Sequence, residues 1–338
     1  MNIAISFCGE GFGHAARIGA IAKYLKQHHE LFFWCPDKVH DFFRTVYPDG
    51  AIYPVPLLDL VKKNNKVQTI PTIKSSLQKL LQSNKIVQEL SELLIKLKID
   101  AIISDYEPYL AKAASLAGIP VLYINHPGII LKIKSFRLSW IFAKVVAYFM
   151  MPDLNNNNIL ISSFYQGDIG PILRDEIKNA AVKNEDFILV YLKNSLGEQL
   201  KPILSKIDNV KFRCFPDNEK DFISSLISCK GVIASAGHQL ISECLHLKKP
   251  ALVFPEVAQY EQELNANMLV KTGWGMIGDI KMAEKSILEF SKNLNNFPFK
   301  DSDNNYNFIL HDDLENAIIY INQFLKENVS EKNILQTV

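Results

Sequence analysis

Short, uninterrupted apolar runs alternate with helical patterns along most of this chain. In the first half the apolar runs lie at 2–8, 31–35, 101–104 and 120–125, and helical patterns lie at 14–28, 73–98 and 108–117. Continuous apolar runs are typical of parallel strands that are buried on both faces, and strand–helix alternation indicates the α/β class. The pattern therefore predicts a parallel sheet with helices on both sides.

The alternation restarts in the second half, after the polar, turn-forming stretch PDLNNNN at 152–158. Further strands are predicted at 187–192, 210–215, 231–235 and 250–254, followed by a loop at 297–308 and a last helix at 312–328. A chain of 338 residues is also longer than one hydrophobic core usually holds. The sequence thus predicts a duplicated architecture.

We predict two Rossmann-like domains, at 1–150 and 151–305, that face each other across a cleft. A C-terminal helix within 306–338 is free to pack back towards the first domain. Ligands of such sheets bind outside the carboxyl ends of the strands, so functional residues are expected there.

The charge of the chain is small overall but uneven. A net charge of +1 argues against a dedicated nucleic-acid-binding protein. Residues 1–150 hold 18 basic and 11 acidic side chains, a charge of +7, whereas the remainder carries −6. The asymmetry indicates either an anionic surface or ligand beside the first half, or simply uneven solvated faces.

Cysteine usage and the absence of targeting patterns bear on location. The five cysteines are odd in number and have no CxxC spacing, which is typical of reduced thiols. The sequence opens on a strand pattern, and no stretch of 18 uncharged apolar residues exists. We therefore expect a cytoplasmic protein without a signal peptide or membrane span.

The first strand leads into a glycine-rich loop, GEGFG, which is followed at once by His14. Glycine permits positive φ and a close approach of ligand to backbone, so Gly11 and Gly13 are predicted to contact an anionic ligand at a helix start. The spacing differs by one residue from the dinucleotide fingerprint G-x-G-x-x-G, which makes dinucleotide binding a weak alternative. His14 is either a general base beside the cleft or merely a turn residue.

Asp105 follows the third predicted strand at the same sheet edge. Its carboxylate could orient the imidazole of His14 and stabilise the protonated ring. The alternative is that Asp105 caps the helix near 108. Glu107, two residues later, is expected to be a solvated acid.

The stretch GVIASAGHQLISE at 231–243 is the most specific in the second half. A strand ends at Ser235, and Gly237 leads into a helix that begins near His238 and Gln239. The amide groups at this helix start are a suitable seat for a diphosphate. Glu243, almost two turns along, could accept hydrogen bonds from both hydroxyls of a ribose.

These motifs resemble the two-domain nucleotide-sugar glycosyltransferases of the GT-B fold, related to the UDP-glucuronosyl and glucosyl transferases and the MurG-type transferases. The opening GEGFGHAAR is similar to an uncharacterised prokaryotic branch of that group. The resemblance implies that His14 is the catalytic base and Asp105 its acidic partner. It further implies that Glu243 binds ribose, and that Glu261 and Gln262 hold the donor sugar.

The sequence departs from the family pattern in the phosphate-binding turn. Ser235 stands where many plant members have histidine, and His238 stands at a tryptophan position. Ser195 is a plausible further phosphate contact, although a plain turn explains it equally well.

The resemblance implies inverting, metal-independent transfer from a nucleotide diphosphate sugar, with UDP-sugar as the expected donor. The acceptor would be a glycan, a lipid or a small molecule, for example in cell-envelope polysaccharide synthesis. No cofactor, metal or nucleic-acid partner is expected, and the D-x-D spelling at Asp301 and Asp303 is interpreted as a turn. A nucleotide-sugar hydrolase or epimerase, or a non-catalytic nucleotide-sugar-binding protein, remains an alternative.

Residues 129–151 combine an apolar and aromatic run with four basic residues and no acidic one. Such a segment can lie on an anionic membrane, which would make the protein peripheral at the inner face of the cell membrane. A helix that closes the first domain explains the same pattern, and this second interpretation is favoured.

Overall fold

The structure is a computed structural model of the chain. It describes all residues except 59–60, 64–65, 69–70, 73, 76–77, 80–82, 134–137, 156–157, 192–193, 217–220, 298–306 and 336–338. The described strands, in chain order, are β1 (Asn2–Phe7), β2 (Glu30–Cys35), β3 (Ala51–Pro54), β4 (Lys62–Lys63), β5 (Lys66–Val67), β6 (Ala101–Asp105), β7 (Val121–Asn125), β8 (Ile159–Ile161), β9 (Ile188–Tyr191), β10 (Phe212–Phe215), β11 (Gly231–Ala234), β12 (Ala251–Val253) and β13 (Gly275–Ile277). The helices are α1 (Phe12–Leu25), α2 (Asp37–Val46), α3 (Asn84–Lys96), α4 (Pro108–Ala117), α5 (Ile129–Lys132), α6 (Leu138–Met150), α7 (Asp175–Lys178), α8 (Asn194–Leu204), α9 (Phe222–Ser228), α10 (His238–His246), α11 (Tyr260–Lys271), α12 (Ala283–Asn293) and α13 (Leu314–Leu335).

The first sheet has six strands in the order β3-β2-β1-β6-β7-β8, and all neighbours are parallel. Both faces of the central strand β1 are covered. Ile3, Ile5 and Phe7 pack in one cluster with α1 and α13. Ala4 packs on the opposite face with α3 and α4. Burial on both faces explains why the strand reads as a continuous apolar run.

The second sheet has five parallel strands in the order β10-β9-β11-β12-β13. Val232 packs against α10 and α11, while Ile233 packs on the other face against α8 and α12. The predicted α/β fold with two parallel sheets is thus confirmed, and all eight predicted strands are present.

The first sheet extends beyond residue 150, where the predicted first domain ends. β8 pairs with β7 through Tyr123 and Ile159, so the first sheet continues past residue 150. After the second sheet, α13 returns to the first, where Ala317 and Ile321 pack in the same core cluster as Ile18 of α1. The predicted helix at 73–98 is observed as α3, and part of its first half lies outside the described residues.

The segment 129–151 forms two helices, α5 and α6, rather than one. Trp140, Ala143, Ala147 and Met150 of α6 are buried. In the described part of the chain, no helix has the length and apolar character needed to cross a membrane.

Candidate active site

The glycine loop after β1 leads directly into α1. Gly11 is the N-cap residue with an extended backbone, and no side chain caps the helix. None of Gly9, Gly11 and Gly13 has a positive φ, so this loop does not use that conformational freedom of glycine. Gly13 is required for a different reason: a Cβ there would lie 2.9 Å from the Cβ of Gln239 in the second sheet's α10. A Cβ at Gly11 would meet nothing within 4 Å.

His14 lies in the first turn of α1, at the carboxyl edge of the first sheet. Its Nδ1 atom is 2.9 Å from Oδ1 of Asp105, and its side chain is 16% exposed. The two residues meet because β1 and β6 are parallel neighbours, with Phe7 opposite Asp105. The structure therefore brings together the two residues that the sequence singles out in the first half.

Glu107, not Asp105, caps α4. Its carboxylate accepts hydrogen bonds from the backbone N–H groups of Tyr109 and Leu110 at 2.7 and 2.9 Å. Glu107 is buried, and this burial raises its pKa to about 7. The interpretation of Glu107 as a solvated acid is therefore wrong, as is the alternative that Asp105 is the helix cap.

Arg17 is a site residue that sequence reasoning missed. It lies one turn after His14 on α1, is 3% exposed, and donates from Nε to Oδ2 of Asp105 at 3.0 Å and from Nη2 to Oδ1 at 3.2 Å. A signal was available, because Arg17 is the one charged residue in the stretch AARIGAIA at 15–22 of α1, three residues from the histidine.

The start of α10 forms the opposite side of the site. Gly237 is the N-cap residue, no side chain caps the helix, and its first turn holds no acid. A Cβ at Gly237 would meet nothing within 4 Å, and Ser235 beside it is half-buried. Uncapped amide groups at a helix start carry partial positive charge and suit an anion.

His238, the first residue of α10, packs against a second histidine from the first sheet. The rings of His238 and His126 stack with their centroids 3.6 Å apart and their planes 14° apart, and both side chains are buried. Nε2 of His238 accepts a hydrogen bond from the backbone N–H of Phe164 at 3.3 Å. Burial lowers the pKa of His126 to about 3. Burial also lowers the pKa of His238, and its electrostatic interaction with His126 acts in the same direction. Both rings are therefore neutral at pH 7, and His126 is a second residue that sequence reasoning missed.

Glu243 is buried and already bound by protein groups. Arg174 donates from Nε to Oε1 at 2.9 Å and from Nη2 to Oε2 at 2.5 Å. Gln239 adds a bond from Nε2 to Oε1 at 3.1 Å and another to the carbonyl of Ile172. Both carboxylate oxygens of Glu243, the residue predicted to bind ribose, are thus already hydrogen-bonded within the protein. Arg174 is a partner that the motif did not reveal.

α11 contributes a polar network. Asn265 accepts at Oδ1 from the hydroxyl of Tyr165 at 2.7 Å, and its Oδ1 is 2.9 Å from Nε2 of His126. Glu261 lies 3.9 Å from the same Nε2 atom. Burial raises the pKa of Glu261, and the positive charges of His14 and Arg17 oppose that rise. Gln262 accepts at Oε1 from the backbone N–H of Glu256 at 3.0 Å.

These contacts place the two halves of the site face to face. Gly13 meets Gln239, His126 stacks on His238, and His126 reaches Asn265. Each pair joins a loop or helix start of the first sheet to α10 or α11 of the second. The carboxyl edges of the two sheets therefore face each other and are in contact through these residues.

Three residues discussed in the sequence analysis lie wholly or partly outside the described residues. Ser195 lies in the first turn of α8, and its side chain is outside the described part of the structure. Asp301 and Asp303 also lie outside it. Among the residues that the structure does describe, no group of three or more histidine, cysteine or acidic side chains is placed to hold a metal ion.

Comparison with known proteins identifies the family. The sequence model described as Glycosyl transferase family 1 matches residues 1–216 and 206–295. The chain belongs to this family. A relative from Methanosarcina mazei, named an uncharacterized glycosyltransferase, is 26% identical over 332 residues and covers 81% of this chain and 85% of its own length. A relative of the same name from Methanosarcina acetivorans is 26% identical over 331 residues, covering 81% and 83%.

Solved glycosyltransferase structures share the fold. The glycotransferase of kitacinnamycin has a TM-score of 0.55 at 14% identity, covering 87% of this chain and 90% of that one. MurG from Acinetobacter baumannii has a TM-score of 0.54 at 17% identity, covering 87% and 91%. The spinosyn rhamnosyltransferase SpnG, solved with thymidine diphosphate, has a TM-score of 0.53 at 12% identity, covering 86% and 92%. The chain is thus a glycosyltransferase with the GT-B fold.

Proposed function

We propose that this glycosyltransferase moves a sugar from a nucleotide diphosphate sugar to a hydroxyl acceptor, with inversion at the anomeric carbon and with His14 as the base. The observations that support the proposal are the contact of His14 with Asp105 and the packing of Gly13, the residue before His14, against Gln239 in the uncapped first turn of α10. A base and an anion seat that face each other are what direct sugar transfer requires.

The reaction follows from these positions. The acceptor hydroxyl gives its proton to Nε2 of His14 while its oxygen forms a bond to the anomeric carbon. The bond from that carbon to the diphosphate oxygen breaks, and the nucleotide diphosphate leaves with the electron pair. Attack in line with the leaving group inverts the configuration. Asp105 stabilises the imidazolium, which then releases its proton to solvent.

The charge on the leaving diphosphate would be met by the start of α10. Because Nε2 of His238 accepts a backbone hydrogen bond, its Nδ1 carries the proton, and that buried Nδ1 has no partner among the described residues. A buried donor beside Ser235 and Gly237 favours an anionic ligand. We propose that this turn replaces a metal ion, so that EDTA leaves turnover unchanged; a requirement for added Mg²⁺ or Mn²⁺ would contradict this part.

The remaining donor contacts are proposals from the family resemblance. Glu243 would bind the ribose hydroxyls, which requires Arg174 or Gln239 to move, since the carboxylate is buried between them. Glu261 and Gln262 at the start of α11 would hold the sugar, Gly11 would border the donor, and Ser195 remains a proposed phosphate contact.

The donor is proposed to be a UDP-sugar, with TDP-sugars as the first competitor, because the related SpnG was solved with thymidine diphosphate. A thermal-shift screen across UDP-, TDP-, GDP- and CMP-sugars identifies the donor, since a ligand that binds the folded state raises its stability. Transfer to a hydroxyl acceptor with inversion, followed by NMR of the product, then supports the proposal. Acceptor-independent release of free sugar would instead indicate a hydrolase, and binding without turnover a nucleotide-sugar-binding protein.

We propose that the acceptor can be presented at a membrane surface, with the protein peripheral at the cytoplasmic face. Ile141, Val145, Tyr148 and Phe149 of α6 are between 44% and 59% exposed and follow a helical spacing. The segment 129–151 adds four basic residues and no acidic one. An exposed apolar face within a basic segment fits anionic lipid. Flotation with anionic but not neutral vesicles is expected, and Phe149→Ser should weaken it; no flotation at moderate salt would refute the contact.

A further inference from the structure

Asp105, the acid beside the proposed base His14, has a second partner in Arg17. Asp105 is fully buried, and both of its oxygens receive hydrogen bonds from the guanidinium of Arg17, at 3.0 and 3.2 Å. Arg17 and His14 are three residues apart on α1 and therefore project from the same side of the helix. The three side chains form one connected group, which we call the His14–Asp105–Arg17 triad.

The charge of Arg17 decides which form Asp105 takes. Burial alone would raise the pKa of this carboxyl group, because a charged group is poorly solvated away from water. The positive charges of Arg17 and His14 and the hydrogen bonds from both residues overcome that effect, and the pKa of Asp105 lies below its ordinary value. An ionised carboxylate can only accept hydrogen bonds.

The form of Asp105 in turn fixes the tautomer of His14. Nδ1 of His14 lies 2.9 Å from Oδ1 of Asp105. Nη2 of Arg17 also lies near this Nδ1 atom, but farther away, at 3.4 Å. Since the carboxylate carries no proton and makes the shorter contact, we assign Nδ1 as the donor of the bond to Asp105. The proton of the neutral ring is therefore on Nδ1, and the lone pair is on Nε2. Only this tautomer can accept a proton at the nitrogen that Asp105 does not hold.

We infer that Arg17 is a positioning residue for the reaction: by keeping Asp105 as an accept-only carboxylate, it holds His14 in the tautomer whose Nε2 can take the acceptor proton. This inference rests on the proposed function of His14. Arg17 itself does not touch substrate in this role.

Loss of Arg17 has a specific consequence. The buried Asp105 would then keep a proton at neutral pH and donate it to Nδ1 of His14. The ring would carry its own proton on Nε2, where the acceptor hydroxyl must deliver one. The defect would be relieved at higher pH, where Asp105 ionises again.

Several other titratable groups surround the triad and are common to the wild-type protein and the variants. Cys8 and Glu10 follow β1, Glu107 follows β6 and His126 follows β7. His238 and Glu261 lie on α10 and α11, on the side of the second sheet. Burial and nearby acids raise the pKa of Cys8, so its thiol stays protonated. The two histidines are neutral at pH 7 for the reason given above. None of these groups supplies a cation to Asp105 in place of Arg17.

The test reads the tautomer directly. Long-range ¹H–¹⁵N NMR spectra of the ligand-free protein are recorded for wild type, Arg17→Met and Arg17→Lys, with His14→Gln to assign the signals. Wild type is expected to carry the proton on Nδ1, Arg17→Met on Nε2, and Arg17→Lys on Nδ1 because the charge is retained. A proton on Nε2 in wild type overturns the inference, even if Arg17→Met fails to fold.

Kinetics provide the second readout. Arg17→Met should lower kcat by about 10²–10⁴-fold near pH 7, with donor KM changed less than about threefold, and should recover as the pH is raised to 9. Arg17→Lys should lose much less. A loss that is the same at every pH would show a merely structural role and overturn the inference. A wild-type protein that transfers no sugar would instead refute the proposed function, while the NMR spectra would still report the tautomer.

Discussion

The Arg174–Glu243 pair gives a prediction whose size follows from burial. Glu243 is fully buried, whereas the side chain of Arg174 is 17% exposed. Arg174→Met leaves the buried carboxylate without its cation and should lower the free energy of unfolding by about 3–5 kcal/mol. In Glu243→Gln the amide oxygen can still accept a hydrogen bond from Arg174, and the guanidinium can also reach water. This substitution should lower the free energy of unfolding by only about 1–2 kcal/mol. The pair is therefore expected to respond unequally.

A double variant separates charge burial from packing. Arg174→Met combined with Glu243→Leu leaves no buried charge and should be much closer to wild type than Arg174→Met alone. Urea unfolding followed by circular dichroism measures all three variants. Lys85→Met is the matched control, because its ion pair with Glu89 is exposed, and it should change the free energy of unfolding by less than about 0.5 kcal/mol. Two results would contradict this prediction: Arg174→Met unfolding like the control, or the double variant being no more stable than Arg174→Met alone.

Two further predictions concern the contact between the lobes. Gly13→Ala places a Cβ 2.9 Å from that of Gln239 and should lower the free energy of unfolding by about 1–3 kcal/mol. In the Gly13→Ala background, Gln239→Gly removes the opposing Cβ and should restore the stability. Gln239→Ala keeps that Cβ and should not. The folded protein keeps His126 neutral, whereas the unfolded chain protonates it near pH 6.5. Its contribution to stability is therefore present above pH 6.5 and is lost by about 1.4 kcal/mol for each pH unit below it. His126→Phe keeps the stacked ring and should make the pH dependence of urea unfolding shallower.

Equal rescue by both Gln239 variants would show that the Cβ contact is not what Gly13 provides. An unchanged pH slope in His126→Phe would show that this imidazole is not held neutral.

The strands that sequence could predict are mainly those that helices cover on both faces of a sheet. Runs such as 2–8 and 187–192 are apolar because helices cover both faces of the sheet. β3, β8 and β13 were missed; all three lie at the edge of a sheet and each has at least one residue that is not buried. Their positions depend on pairing with a longer neighbour, as β8 pairs with β7.

The site residues also fall into two groups: those that a local sequence pattern identifies, and those whose partner is distant in sequence. His14, Asp105 and Gly237 follow strands at a sheet edge, so local patterns identify them. Arg17 and Arg174 are different, because each is important only through a buried carboxylate 88 or 69 residues away. Asp105 was predicted either to orient His14 or to cap the following helix, and Glu107 was taken as a solvated acid, whereas Asp105 contacts His14 and Glu107 is the buried cap. Two acids two residues apart cannot be told apart before the direction of each side chain is known.

The central claim is that His14 takes the acceptor proton in a site completed by the second lobe. Its most direct test is turnover of the identified donor by His14→Gln, with donor affinity measured by calorimetry. His28→Gln, an exposed histidine just past the far end of α1, is the control. We expect His14→Gln to lower kcat by about 10²–10⁴-fold with donor affinity nearly unchanged, and the control to turn over like wild type. Turnover by His14→Gln within a few-fold of wild type would contradict it.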